Sequence, residues 1–146
     1  MARSEQTITV RKLETVSALK VAFKVMVELR PQLDLEQFLT LVHDMREEGY
    51  RLVGVFDGGA LVAVAGYRVL TMLVRGRSLY VDDLVTTATR RGKGYGKLLL
   101  EWLQIEGQRL RCTEFHLDSG VQRFAAHGFY FGCGLHISSY HFAKAL

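Results

Sequence analysis

Three glycines at alternate positions, Gly92, Gly94 and Gly96, stand among Arg91, Lys93, Tyr95 and Lys97 and run directly into Leu98-Leu99-Leu100-Glu101-Trp102-Leu103. Glycine at every second residue frees the backbone for a turn, and the leucines that follow recur at helical spacing, so this stretch predicts a loop-to-helix junction. The first turn of a helix leaves N–H groups without intrahelical acceptors and carries about half a positive charge. A backbone with so few side chains can close around a phosphate placed there. Arg91, Lys93 and Lys97 add formal charge, and the question becomes which phosphate-bearing molecule the rest of the chain is built to use.

With 146 residues, 49% of them apolar, the sequence predicts a single domain over 1–146 that buries a core without disulfides or metal. Only Cys112 and Cys133 are present, which excludes a disulfide framework and a cysteine zinc site and favours a reducing, cytoplasmic setting. No apolar run approaches a membrane span, so no membrane partner is expected. The net charge of +4 invites a nucleic-acid reading, but acidic residues interleave with basic ones, as in Arg46-Glu47-Glu48. The densest basic cluster falls on the glycine loop itself, which suits a small polyphosphate better than a nucleic-acid track.

Apolar spacing predicts a short strand over Thr7–Lys12, a helix over Thr15–Leu29 ended by Pro31, and a second helix capped by Asp34 with Gln37 three residues on. Arg51–Phe56 and Ala60–Leu73 read as strands joined by an Asp57-Gly58-Gly59 hairpin turn, and Arg75-Gly76-Arg77 turns the chain into a third strand, Ser78–Thr86. After the loop come a helix from Gly96 to about Arg111, a strand Glu114–Leu117, a helix Gln122–Phe131 and a closing strand Leu135–Phe142. The order β-α-α-β-β-β-α-β-α-β describes a mixed α/β (α+β) fold, with a mostly antiparallel central sheet and helices on its faces.

Of two common phosphate loops, one fails on spacing and the other fits weakly. A P-loop needs a hydroxyl residue after its lysine, and Lys97 is followed by Leu98. A dinucleotide fingerprint needs Gly-x-Gly-x-x-Gly in an early βαβ unit, whereas this chain offers Gly-x-Gly-x-Gly after an antiparallel meander. What Arg91-Gly92-Lys93-Gly94-Tyr95-Gly96 resembles is the coenzyme A loop of the GNAT acetyltransferase superfamily, Arg/Gln-x-x-Gly-x-Gly/Ala. The element order resembles that family's fold over nearly the whole chain. Tyr130-Phe131-Gly132-Cys133-Gly134-Leu135 resembles its late Tyr-x-x-x-Gly-Phe signature, with Leu135 in place of Phe.

The resemblance implies acetyl-CoA as co-substrate, no metal, and direct transfer to a primary amine, of a small molecule or a protein, within a ternary complex. It implies that Arg91, Gly92, Lys93, Gly94, Tyr95, Gly96 and Lys97 hold the pyrophosphate, and that the backbone of Leu84, Val85 and Thr86 binds the pantetheine arm and polarises the thioester carbonyl. A lysine-like amine is neutral in only about one molecule in 2,500 at pH 7, so providing the free base is worth up to about 4.6 kcal/mol. Asp82 and Asp83 lie just upstream, and strict strand alternation would point them to opposite faces, leaving one of them to act as general base. Tyr130, by resemblance, is the general acid to the departing thiolate.

The acceptor pocket implied by the family is formed near Glu28–Leu35, the strand hairpin and the chain end, where Arg30, Asp34 and Arg75 do not choose among amines. Homodimers are common in the family. His43, His116, His127, His136 and His141 show no metal-ligand spacing, and Cys133 reads as a packing thiol. Two other classes compete: a non-catalytic acyl-CoA-binding or sensor module would need the loop but neither carboxylate nor tyrosine, and a nucleic-acid binder would need no coenzyme.

Overall fold

The Gly58-Gly59 pair organises the sheet. In the computed structural model, which describes residues 7–146, both glycines take positive φ, 60° and 84°, the mirror-image turn whose twist matches that of paired strands. The elements run β1 (Ile8–Lys12), α1 (Val16–Leu29), α2 (Leu35–Glu47), β2 (Arg51–Asp57), β3 (Ala60–Met72), β4 (Gly76–Thr86), a single tight turn Ala88–Arg90, α3 (Tyr95–Arg109), β5 (Glu114–Leu117) and α4 (Phe124–Gly132). Both early helices start where their caps dictate. The Thr15 hydroxyl accepts from the Ala18 N–H at 3.1 Å, and Asp34 and Gln37 form a reciprocal capping box with bonds of 2.8 and 3.0 Å.

The sheet has the order β1-β2-β3-β4-β5, and β1 to β4 pair antiparallel. The Thr113 N–H donates to the Arg77 carbonyl at 2.8 Å, so β5 begins beside the start of β4. A strand starting there can pair with β4 only by running in the same direction, which the crossover through α3 permits. At four residues, β5 covers only the first half of β4.

Chain contacts divide the molecule into two compact units, one up to His116 and one from Leu117 to Leu146. In the first, residues Val62 to Tyr67 of β3 are all buried because both sheet faces are covered. Leu19, Ala22, Met26, Phe38 and Val42 of α1 and α2 pack with Tyr50, Leu52, Val64 and Val85. On the other face Leu99, Leu100 and Leu103 of α3 are at most 1% exposed, and Trp102 meets Tyr67 edge-on at 6.0 Å. Burying each such leucine contributes roughly 1.5–3 kcal/mol. In the second unit α4 has no fully buried residue.

The predicted element order holds from β1 through α4, with helix ends shifted by a residue or two. The closing strand does not form: Leu135–Phe142 adopts no regular structure. Its apolar residues fall out of phase, Leu135 and Ile137 at odd positions and Tyr140 and Phe142 at even ones, with Ser138 and Ser139 between. A regular strand would send the two pairs to opposite faces. Accordingly Ile137, Tyr140 and Phe142 are exposed.

Candidate active site

The glycine loop forms the junction its sequence predicts. Gly92 and Gly94 have φ of 79° and 85°, with nothing within 4 Å of the position a Cβ would take. Gly94 is the residue from which α3 departs, and it brings no side chain to cap the helix. The first helical bond runs from Leu98 N–H to Gly94 carbonyl at 3.0 Å, so the N–H groups of Tyr95, Gly96 and Lys97 precede it and have no intrahelical acceptor. No acidic residue occupies this first turn. Lys93 and Lys97 are exposed beside it, and Arg91 Nε donates to the Thr86 carbonyl at 3.3 Å, tying the loop to the end of β4.

Tyr95 is more than a spacer between glycines. Its ring is buried, and its hydroxyl donates to the Asp57 carboxylate at the start of the β2–β3 turn. That carboxylate, the largest influence on it, raises the phenol pKa. Arg90 lies 3.9 Å from the same carboxylate. The loop is thus fastened on one side to β4 and on the other to the first hairpin. The sequence marks Asp57 as part of the hairpin turn but not as a partner of the glycine loop.

The aspartates of β4 require a correction. Gly66 pairs with Asp83 and Tyr67 with Val81, which makes Asp82 the extra residue of a β-bulge. The bulge cancels the alternation, so the two carboxylates share a face instead of pointing apart. Asp82 accepts from Arg68 Nε and Nη2 at 3.0 and 2.8 Å. Asp83 accepts from Arg30 Nε at 2.9 Å and from the Tyr50 hydroxyl at 2.6 Å. The Arg68 guanidinium in turn lies 5.4 Å from the centre of the Tyr50 ring, closing one network around both acids. Burial raises the pKa of Asp82, against the pull of Arg68. Burial, with Asp83 beside it, holds the Tyr50 phenol well above its ordinary value.

Tyr50 and Arg68 were not singled out by sequence. The available signal was Gly66, a glycine inside a strand, which marks a close approach. A Cβ there would sit 1.8 Å from the Tyr50 hydroxyl oxygen. Past the bulge, Leu84, Val85 and Thr86 bond to β3 opposite Ala65, Val64 and Ala63. They continue beyond the reach of the short β5. Thr87 and Ala88 then meet a carboxylate from α1: Glu28 accepts from the Thr87 hydroxyl at 2.6 Å and from the Ala88 N–H at 2.9 Å.

In the second unit Tyr130 is half-buried, and burial raises its pKa, so its phenol is protonated at neutral pH. The late signature has a physical meaning here. Leu135 N–H donates to the Tyr130 carbonyl and Gly134 N–H to the Phe131 carbonyl, both at 3.1 Å, with Gly134 at φ 86°. That is the paired-bond stop of a helix, in which the glycine takes the left-handed conformation. Among the described residues no three His, Cys, Asp or Glu side chains gather in a metal-binding arrangement, and no helix is long and apolar enough to cross a membrane.

The sequence model of the Acetyltransferase (GNAT) family matches residues 14–134. This chain belongs to the GNAT acetyltransferase family. It is therefore an acyltransferase. An N-acetyltransferase of Bacillus subtilis (strain 168), YhdJ, whose own role is uncharacterized, is 36% identical over 125 residues, covering 84% of this chain and 88% of that protein. The GNAT fold extends to distant solved structures. An aminoglycoside N-acetyltransferase, AAC(6')-Iy, in complex with CoA superposes with a TM-score of 0.88 at 12% identity, covering 100% of this chain and 99% of that one. Glucosamine-6-phosphate N-acetyltransferase from Arabidopsis thaliana gives 0.72 at 24% identity over 96% and 99%.

Proposed function

We propose that this GNAT chain transfers the acetyl group of acetyl-CoA to a primary amine by direct attack within a ternary complex. The observation that carries the reading is the start of α3, where Gly92 and Gly94 both adopt left-handed conformations and three consecutive N–H groups have no helical acceptor. Arg91, Gly92, Lys93, Gly94, Tyr95, Gly96 and Lys97 bind the pyrophosphate, chiefly through the main chain. Leu84, Val85 and Thr86 offer their backbone to the pantetheine arm and to the thioester oxygen. The family match runs across both compact units, which supports treating 1–146 as one transferase domain.

Of the two bulge aspartates, Asp82 is the better general base, because its raised pKa brings it nearer the operating pH. Its carboxylate keeps lone pairs beyond those directed at Arg68, enough to accept a proton directly or through water. Asp83 holds Arg30 and Tyr50 in place. Tyr130, protonated at neutral pH, gives its proton to the departing thiolate. Because ionised Asp82 is the active form, turnover falls as pH drops through its raised pKa, at a higher pH than an ordinary aspartate would impose.

The test is calorimetric titration with coenzyme A, followed by release of free thiol from acetyl-CoA across a panel of amines. Wild type is expected to bind the coenzyme and turn over. Asp82→Asn is expected to retain binding, lose about 100-fold in kcat and lose the acid limb of the pH profile. A wild-type chain that leaves coenzyme A unbound overturns the reading.

A further inference from the structure

Three carboxylates stand close to the free half of β4, and they differ in how their charge is compensated. Asp82 is paired with Arg68 at 2.8 Å and Asp83 with Arg30 at 2.9 Å. Glu28 is held only by neutral donors, the Thr87 hydroxyl and the Ala88 N–H, and is exposed. Among the described residues no cation lies within ion-pair distance of it. Arg30, two residues along, is already committed to the Asp83 carboxylate and the Asp82 carbonyl. Glu28 therefore presents a carboxylate without a cationic partner, fixed by two hydrogen bonds immediately after Leu84-Val85-Thr86.

Asp82, its charge offset by Arg68, already serves the attacking nitrogen as base; a second carboxylate there with no cation beside it would favour the protonated amine and so oppose a transfer that needs the free base. The same charge helps if it binds a different cation on the same molecule, one that stays protonated throughout. We infer that Glu28 is a specificity residue that anchors a second, non-reacting cationic group of the acceptor, so that the preferred substrates are diamines or polycations rather than simple monoamines. This rests on the transferase reading above. Two hydrogen bonds already orient the Glu28 side chain, so less of its rotational freedom remains to be lost when the substrate binds.

The experiment compares putrescine with its monoamine isostere n-pentylamine in wild type, Glu28→Gln and Glu28→Ala, with acetyl-CoA KM measured in each. Glutamine preserves an acceptor for the Ala88 N–H and a polar partner for Thr87 but removes the charge. Wild type is expected to favour putrescine in kcat/KM by roughly two- to fivefold, the range of an exposed ion pair, and Glu28→Gln to abolish that preference with acetyl-CoA KM unchanged. Glu28→Ala also releases Thr87 and Ala88 and is expected to raise acetyl-CoA KM as well. If Glu28→Gln keeps the diamine preference, or instead raises acetyl-CoA KM alone, Glu28 is only a brace for the turn and the inference fails while the transferase reading stands. If wild type neither binds coenzyme A nor turns over either amine, both fail together.

Discussion

Two segments of this molecule combine glycines with a tyrosine, and they use them in opposite senses. Around Tyr95 the glycines precede a helix, and Gly94 opens α3 in a left-handed conformation with free N–H groups ahead of it. Around Tyr130 the decisive glycine follows a helix, and Gly134 closes α4 by letting its N–H and that of Leu135 turn back onto carbonyls. The first arrangement exposes donors; the second consumes acceptors. The tyrosines differ in the same way. Tyr95 is buried and tied to Asp57, whereas Tyr130 is half-buried on a helix without a single fully buried residue. By composition the two segments look alike, and only the position of glycine relative to the helix separates a turn of free N–H groups from a helix stop.

The sharpest way to break this contrast is Gly94→Val. A β-branched residue at φ 85° carries a left-handed penalty of about 1–2 kcal/mol or more, and its side chain would stand at the mouth of the donors. Relaxing that strain moves the loop off the geometry in which the proposed site binds, and the branched side chain crowds it, so acetyl-CoA KM should rise by about tenfold with the amine KM little changed. Initial-rate kinetics with each substrate varied in turn decide it, and an unchanged acetyl-CoA KM would remove the anion cradle from the account.

Tyr130→Phe probes the other segment and is expected to act on rate instead of affinity. Deleting the phenol proton should lower kcat by about tenfold while leaving acetyl-CoA KM in place. Burial raises the Tyr130 pKa, so the protonated donor persists above the ordinary phenol range. The alkaline limb of wild-type kcat therefore falls only at high pH, and it should vanish in the variant. A pH-rate profile with the limb intact in Tyr130→Phe would assign the proton elsewhere.

The glycine loop, both helix caps and the Gly58-Gly59 hairpin were legible because each depends on residues adjacent in sequence, where local conformational preference is enough. The carboxylate pair was legible as residues but not as geometry. Asp82 and Asp83 could be named, yet period-two alternation assigned them to opposite faces, and nothing local announces the bulge, which lies beside the long-range packing of Tyr50 against Gly66. Long-range partners were hidden for the same reason: Asp57 is 38 residues from Tyr95 and Glu28 is 59 from Thr87. The closing strand was misread because two apolar pairs suggested alternation, although the Ser138-Ser139 step puts them out of phase.

The smallest effect comes from comparing glycines within the Tyr130 segment itself. Gly128 lies inside α4 with ordinary φ and nothing within 4 Å of a would-be Cβ, while Gly134 sits at φ 86°. Alanine at 128 should stabilise the chain by about 0.5–1 kcal/mol, by lowering the freedom of the unfolded backbone and favouring the helix. Alanine at 134 should cost about 1–2 kcal/mol, because the left-handed stop loses its only easy occupant. Denaturant melts give both signs, and exchange of the Leu135 amide, which donates to the Tyr130 carbonyl, should slow in the first variant and quicken in the second. If both substitutions move stability the same way, the glycines of this segment are not dividing the work between helix and stop, and the contrast with the loop at Gly94 loses its physical basis.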